Sequence, residues 1–336
     1  MKKKKVIILF GFLDFMAIVF LFFTYGPISY FRDLWITTSM TTMNHKYLAR
    51  VLYSEKTIYQ VLSENYLKEV EENTDTSQID FSGIVEQEHY ESIYEEQVLK
   101  KEEDNDLYKV VPLSGSGYKG HMVVIYDPSK VQLALAEHLG TNGEVLTRMS
   151  RRLSFQVGIN AGGFADAGGV GSGGIPTGTV IHNGQIIYRG PETGWTGGLI
   201  GFTSDHVLML TKESPEVAIA NGMRDAVEFG PFLIVNGKRA IARGNGGWGV
   251  SSRTVIAQRQ DGIVLFIVID GRQPGHSIGI NMVDLTNLLV RYKAYNAANL
   301  DGGASTDLVI NQQLINKPCG IGGNGERRLP NAWIVK

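Results

Sequence analysis

Residues 263–269 read Ile-Val-Leu-Phe-Ile-Val-Ile, and this unbroken apolar run constrains the fold more than any other stretch. It reads as a strand buried on both faces, which places it in the middle of a covered sheet. Further strands are expected over 108–112, 121–126, 155–160, 179–182, 185–188, 206–210, 232–235 and 297–300. Asn183-Gly184 and Asn236-Gly237 are hairpin turns by composition. A helix is expected over 143–153. A second follows Asn281, with Met282, Leu285, Leu288, Leu289 and Tyr292 facing inward and Asp284 at the capping-box position. Helix and strand mix without regular βα alternation, so the fold class is α+β: a mixed, strand-rich core with flanking helices.

The N-terminus has a different character. Lysines fill positions 2–5, and residues 6–24 are apolar apart from Asp14. As a helix that run is about 28 Å long, close to the thickness of a bilayer's hydrocarbon. No small-x-small cleavage site follows, so an uncleaved, single-pass signal anchor is expected in the cell membrane, with its N-terminus cytoplasmic and the rest extracytoplasmic. A cleaved signal peptide is the alternative. Leu48, Val51, Leu52, Ile58, Val61, Leu62 and Leu67 then recur at helical spacing, which predicts one amphipathic helix over 44–70. That helix would be a stalk, suited to stalk-mediated oligomers. Residues 71–106 turn acidic and polar, the composition of a solvated spacer. The expected organisation is therefore a basic tip and transmembrane anchor over 1–28, a helical stalk and acidic linker over 29–106, and a globular domain over 107–336.

Composition removes several function classes. With 32 Lys and Arg against 34 Asp and Glu, the net charge of −2 offers no basic field for nucleic acid. The single cysteine, Cys319, excludes an intrachain disulfide framework and a cysteine-based zinc cluster, and in its Pro-Cys-Gly setting it reads as an ordinary loop residue. The glycine-rich run 168–174 lacks both the Walker ending and dinucleotide spacing, and no Gly-x-Ser-x-Gly or His-Glu-x-x-His motif is present.

The chemistry concentrates where strands break into glycine. Asn160 ends one strand before Gly162-Gly163, and Asp301 ends another before Gly302-Gly303, with Ser305 close behind. Such turns present the last polar side chain at a rim and leave backbone N–H groups for an anion. Asp270 ends the most apolar strand in the same way, as Asp270-Gly271-Arg272. Glycosyl transfer to water commonly uses two carboxyl groups about 5–10 Å apart, and Asp270 and Asp301 could supply them. Either could equally be a turn cap that accepts backbone N–H bonds. Arg253, Arg272 and Arg327 lie in or near these turns, and guanidinium groups match a phosphate.

Several ordered segments together resemble the phosphodiester glycosidase domain family: 159–164, Gly230-Pro231, Ser252-Arg253-Thr254, 270–275, 299–305 and 327–332. The resemblance covers roughly residues 107–336 and departs at Ala304, where the family usually has a third glycine, so any backbone strain there must suit a Cβ. It implies hydrolysis of a sugar-1-phosphodiester at the glycosidic C–O bond, within phosphate-containing surface glycan; bacterial relatives are often labelled exopolysaccharide biosynthesis proteins. The expected catalytic residues are Asp301 and Asp270. The substrate- or phosphate-binding set is Asn160, Gly162, Gly163, Arg253, Arg272, Gly302, Gly303, Ser305 and Arg327. No cofactor is called for, and a divalent metal stays open. A polysaccharide-binding or assembly factor without turnover, and a phosphodiesterase that cuts P–O, are the competing readings.

Overall fold

The computed structural model describes all residues except 1, 43–44, 82–88, 167–170, 191–196 and 321–323, with side chains from residue 8 onward. Its chain forms two compact units, one of residues 1–67 with 242–249 and one of residues 68–241 with 250–336.

The first unit is helical: α1 (Lys2–Tyr25), α2 (Ser29–Met40), α3 (Tyr47–Leu52) and α4 (Glu55–Glu64). The single helix expected over 44–70 is two helices among the described residues. Ser54 ends the first by capping the second, its side chain accepting from Thr57 N–H. The apolar periodicity is real, but it faces a local core rather than a coiled-coil partner. Ile36, Ala49, Tyr53, Ile58 and Val61 bury one another.

The second unit carries the sheets, and their paired strands are antiparallel throughout. A seven-stranded sheet runs in the order Lys238–Arg239, Phe232–Val235, Ala294–Asn299, Arg253–Arg259, Val264–Ile269, Tyr118–Ile125, Tyr108–Gly115. Val264–Ile269 is buried at every residue, as the apolar run required. A five-stranded sheet orders Gln313–Leu314, Leu308–Ile310, Val157–Asn160, Asn331–Val335 and Val131–Leu135. Another orders Gln185–Tyr188, Val180–His182, Met223–Phe229, Gly198–Thr203 and Leu208–Thr211. Val123, Ile159, Ile200, Phe266 and Trp333 from all three meet in one core. Both hairpin turns form, with φ of 51° and 71° at Asn183-Gly184 and 51° and 73° at Asn236-Gly237.

Helices flank the sheets: α5 (Ile93–Leu99), α6 (Leu146–Leu153), α7 (Pro215–Ala220) and α8 (Met282–Arg291). Asn281 caps α8 by accepting from Asp284 N–H, and its amide reaches the Asp284 carboxylate. Residues 71–81 and 89–106 are not a free spacer. Thr74 exchanges hydrogen bonds with the backbone of Leu210, Asp80 N–H donates to Gln260 O, and α5 buries Val98 and Leu99. Polar composition misled here because polar groups, Thr74 Oγ1 and Asn73 Oδ1 among them, can complete a sheet edge as readily as face water.

Candidate active site

Sheet register brings the site together. The strand Arg253–Arg259 lies between Val264–Ile269 and Ala294–Asn299, antiparallel to both, with Arg253 opposite Ile269 and Val255 opposite Asn299. Its two neighbours are therefore parallel to each other, and Asp270 and Asp301 leave the sheet at the same end. Two strand spacings separate their backbones, about 10 Å.

The turn after Asp301 is a short 3-10 segment, Gly303–Ser305. Gly303 has φ +63°, a conformation that favours glycine, and a Cβ there would lie 3.0 Å from the Arg272 guanidinium, which would have to shift slightly. Ala304 is outside the left-handed region, and its methyl causes no backbone strain. Ser252 fastens the turn from below: its Oγ donates to Gly303 O at 2.7 Å and its carbonyl accepts from Gly303 N–H at 3.1 Å.

Asn160 braces the same turn from the neighbouring sheet. Its Nδ2 donates to Asp301 O at 2.6 Å, while its Oδ1 accepts from Thr254 Oγ1 at 2.7 Å and Asp307 N–H at 3.2 Å. The expectation that Asn160 binds substrate meets a carboxamide already spent on the fold. The N–H groups of Gly162, Gly302 and Gly303 are spent too, so these three do not form an open anion nest. Gly162 donates to Asn331 Oδ1 at 2.8 Å, Gly302 to Asp301 Oδ1 at 3.0 Å, and Gly303 to Ser252. Gly163 packs against Phe229, and a Cβ there would sit 2.7 Å from its ring.

Positive charge at the site comes instead from arginine. Burial pushes the Asp301 carboxyl up to about 6, against the opposing pull of the Ser305 hydrogen bond, the Arg327 charge, the Gly302 N–H and the Arg272 charge. Ser305, Arg272 and Arg327 thus all act on Asp301. Arg272 takes up φ +58°, held by its N–H to Ile278 O at 3.0 Å and by Nε donating to Ser251 Oγ at 3.0 Å. Arg327 donates to Asp166 Oδ2 at 2.9 Å and lies 4.7 Å over the Phe164 ring. Arg253, expected to hold phosphate, is buried at 6% exposure; burial and then repulsion from Arg272 lower its pKa to about 9, which leaves it charged at neutral pH.

Asp270, expected as the second catalytic carboxylate, is only 3% exposed and its oxygens are turned to the protein. Oδ1 accepts from Asn316 Nδ2 at 3.0 Å and Lys317 N–H at 3.1 Å, and Oδ2 pairs with His276 Nε2 at 2.8 Å. Asn316 also donates to Thr306 O at 2.9 Å, tying this hub to the Asp301 turn.

Sequence reasoning missed Asp166, His276, Asn316 and Asp307. His276 follows Asp270 by six positions on a turn, a signal that was readable; Asn316 and Asp166 carried none, since each meets its partner only through the fold. Asp307 is fully buried without a hydrogen bond to either carboxyl oxygen, and burial followed by the nearby Glu326 raises it well above the usual carboxylate range. Cys319 is more than a bystander in a loop: its Sγ lies 3.5 Å from Gly303 O and 3.7 Å from Ser252 Oγ. Among the described residues, no three His, Cys, Asp or Glu side chains stand together as a metal site. Cavities of about 320 and 340 Å³ occur elsewhere, beside Thr74 and Thr211 and beside Asn183 and Arg224, away from these turns.

The chain is similar to several known proteins. Over 200 residues the chain is 30% identical to the SPbeta prophage-derived uncharacterized protein YomE of Bacillus subtilis (strain 168), covering 57% of this chain and 30% of that protein. Over 156 residues it is 27% identical to the N-acetylglucosamine-1-phosphodiester alpha-N-acetylglucosaminidase of Bos taurus, covering 40% of this chain and 29% of that one. The match thus spans less than a third of either relative. In three dimensions the chain is similar to the zebrafish N-acetylglucosamine-1-phosphodiester alpha-N-acetylglucosaminidase catalytic domain auto-inhibited by its pro-peptide. There the TM-score is 0.57 and the identity 17%, with coverage of 70% of this chain and 85% of that one, which shows a shared fold. The model of one family, described as phosphodiester glycosidase, matches residues 154–336, more than half the chain, and includes the turns at Asn160, Asp270 and Asp301. On that match the chain belongs to the phosphodiester glycosidase family.

Proposed function

We propose that the protein is a membrane-anchored hydrolase that cleaves the glycosidic C–O bond of a sugar-1-phosphodiester outside the cytoplasm, in the metabolism of a surface glycan. The observation that carries this reading is the Asp301 carboxyl, set on a strand end under the influence of Arg272 and Arg327. A group with pKa about 6 is roughly nine-tenths ionised at pH 7, close to the ideal for a general base. In the proposed reaction Asp301 takes a proton from water as its oxygen bonds to the anomeric carbon. The C1–O bond breaks, and its electron pair leaves on the phosphomonoester. Arg272 and Arg327 hold the phosphate through the reaction and stabilise the charge that grows on it, so a strong general acid is not required. Ser305 orients the Asp301 carboxylate, and Arg253 adds buried positive charge behind the turn. Asn160 and Asp270 are positioning residues rather than reactants, each spending its polar atoms on the turns that carry Asp301 and Arg272. The bovine relative, an N-acetylglucosamine-1-phosphodiester alpha-N-acetylglucosaminidase, supports a substrate of this class. The anchoring reading rests on α1, whose residues Ile8–Tyr25 have mean hydropathy 2.2 and are 6% buried.

The test is a panel of sugar-1-phosphodiesters, UDP-sugars included, hydrolysed in oxygen-18 water. Label in the sugar hydroxyl supports C–O cleavage; label in the phosphate would establish a P–O-cutting phosphodiesterase, and binding without turnover an assembly factor. Protease added to intact cells should remove residues beyond Gly26 and spare the N-terminus; a domain protected until the membrane is broken would contradict the topology.

A further inference from the structure

Along most of the described part of α1 the side chains are exposed: Phe12, Phe15 and Ile18 are 59%, 61% and 64% exposed. Its last turn is different. Phe23 packs edge-on against Phe31 of α2 with ring centroids 4.5 Å apart, Thr24 O accepts from Tyr53 Oη at 3.1 Å, and Tyr25 Oη donates to Leu52 O at 2.8 Å. The helix end is thus keyed into the small core of the first unit. α2 itself is two-faced. Ile36, Thr37 and Ser39 are buried, whereas Phe31 and Trp35, one turn apart, are each 42% exposed, and Ile28, the N-cap just before the helix, is 43% exposed. The Trp35 indole N–H donates to Leu48 O at 3.1 Å, so its polar atom is satisfied and its outward surface is apolar. Arg32 and Asp33, the charged residues of α2, pair at 2.8 Å.

We infer that this stripe of α2 is a membrane-interface surface whose partner is the lipid bilayer at the boundary of acyl chains and headgroups. Phe23 belongs to the apolar stretch Ile8–Tyr25, and Phe31 packs edge-on against it, so the medium around one surrounds the other. Aromatic side chains with one satisfied polar atom concentrate at that boundary, and an amphipathic helix lying in its plane buries an apolar stripe of this kind. Lys46, exposed on the neighbouring segment, offers a cation at headgroup level, while exposed Arg50 pairs with Glu55 at 3.1 Å. The inference rests on α1 spanning a membrane, and it makes α2 part of the anchor rather than the start of a stalk.

Single cysteines at Leu13, Ile28, Trp35 and, as an aqueous control, Glu103 are placed in the full-length Cys319→Ser chain. Each is spin-labelled and reconstituted in vesicles of phosphatidylcholine and phosphatidylglycerol. Power saturation then compares collision with oxygen, which partitions into lipid, and with a water-soluble nickel chelate. Leu13 is expected to read as bilayer interior, and Ile28 and Trp35 to show an oxygen-to-nickel ratio several-fold above Glu103 but below Leu13. Ile28 and Trp35 matching Glu103 while Leu13 reads lipid would overturn the interfacial surface and leave the span intact. Leu13 reading water would remove the span and the inference with it. Exclusion of both reagents at Ile28 and Trp35, with spin–spin broadening, would show a second copy of the chain on the stripe and overturn the lipid assignment. The two label positions are independent, so one misfolded variant does not silence the test.

Discussion

Two turns at one end of the same sheet carry the same sequence pattern, an aspartate that ends a strand and runs into glycine, yet they differ in what surrounds the carboxylate. Asp270 is wrapped by Asn316, Lys317 N–H and His276. Asp301 has the Gly302 N–H and Ser305 for direct partners, with arginine charge nearby, and its pKa rises to about 6. A carboxylate surrounded by donors is a structural knot; one that is partly buried and thinly bonded keeps a proton equilibrium near neutral pH. The Asp-Gly pattern therefore marks a strand end, and the donors that reach it from elsewhere in the chain decide which kind of aspartate it becomes.

The most direct way to break this comparison is Asp301→Asn. It keeps size and most hydrogen bonding but removes the charge, and turnover should fall by roughly 10² or more with the fold intact. A folded variant with near-full hydrolysis of a sugar-1-phosphodiester would make Asp301 a turn cap like any other. Asp270→Asn should act on the other side of the contrast. The amide oxygen can still accept from Asn316 and Lys317, but without the carboxylate charge, and its NH2 replaces the oxygen facing His276, so a loss of about 2 kcal/mol is expected, read as a thermal midpoint lowered by roughly 5 °C. The limb of the pH–rate profile near pH 6 should survive in that variant.

Arg272→Ala should raise KM for a phosphodiester about tenfold, equivalent to one charge-assisted contact, and spare an uncharged aryl glycoside if that is hydrolysed at all. Arg327→Ala sharpens the electrostatic argument. Arg327 holds the Asp301 pKa down, so its loss should move the acid limb upward from about 6, and activity measured at pH 6 should drop more than activity at pH 8. A limb displaced downward would refute the placement of that charge.

The smallest expected effect belongs to Asp307. Its folded-state pKa is raised, so the folded protein binds a proton that the unfolded chain releases, and stability falls as pH rises above the unfolded value of about 4. Asp307→Asn removes that penalty, and melting at pH 7 should rise by about 3 °C, with the gain vanishing near pH 4. An equal gain at both pH values would show that the effect is packing rather than ionisation.

Much of the molecule was legible before any coordinates, and for local reasons. An apolar run with β-branched residues fixes a central strand, Asn-Gly fixes a tight hairpin through positive φ, Asn281 announces a helix start, and an apolar stretch long enough for a bilayer announces α1. Each depends on residues no more than a few positions apart. The turns at Asn160, Asp270 and Asp301 were found the same way. Their contents were not, because hydrogen-bond partners are assigned by sheet register over long stretches of chain: Asp270 meets Asn316 across 46 positions, and Asp166 meets Arg327 across 161. The polar residues 71–81 concealed their docking for a similar reason, since polar groups can complete a sheet edge as readily as face water. Sequence alone determined where strands end and which polar residues stand there. Only the tertiary structure decided which of those residues are spent on the fold, because desolvation and the supply of donors belong to a residue's surroundings in space and not to its neighbours along the chain.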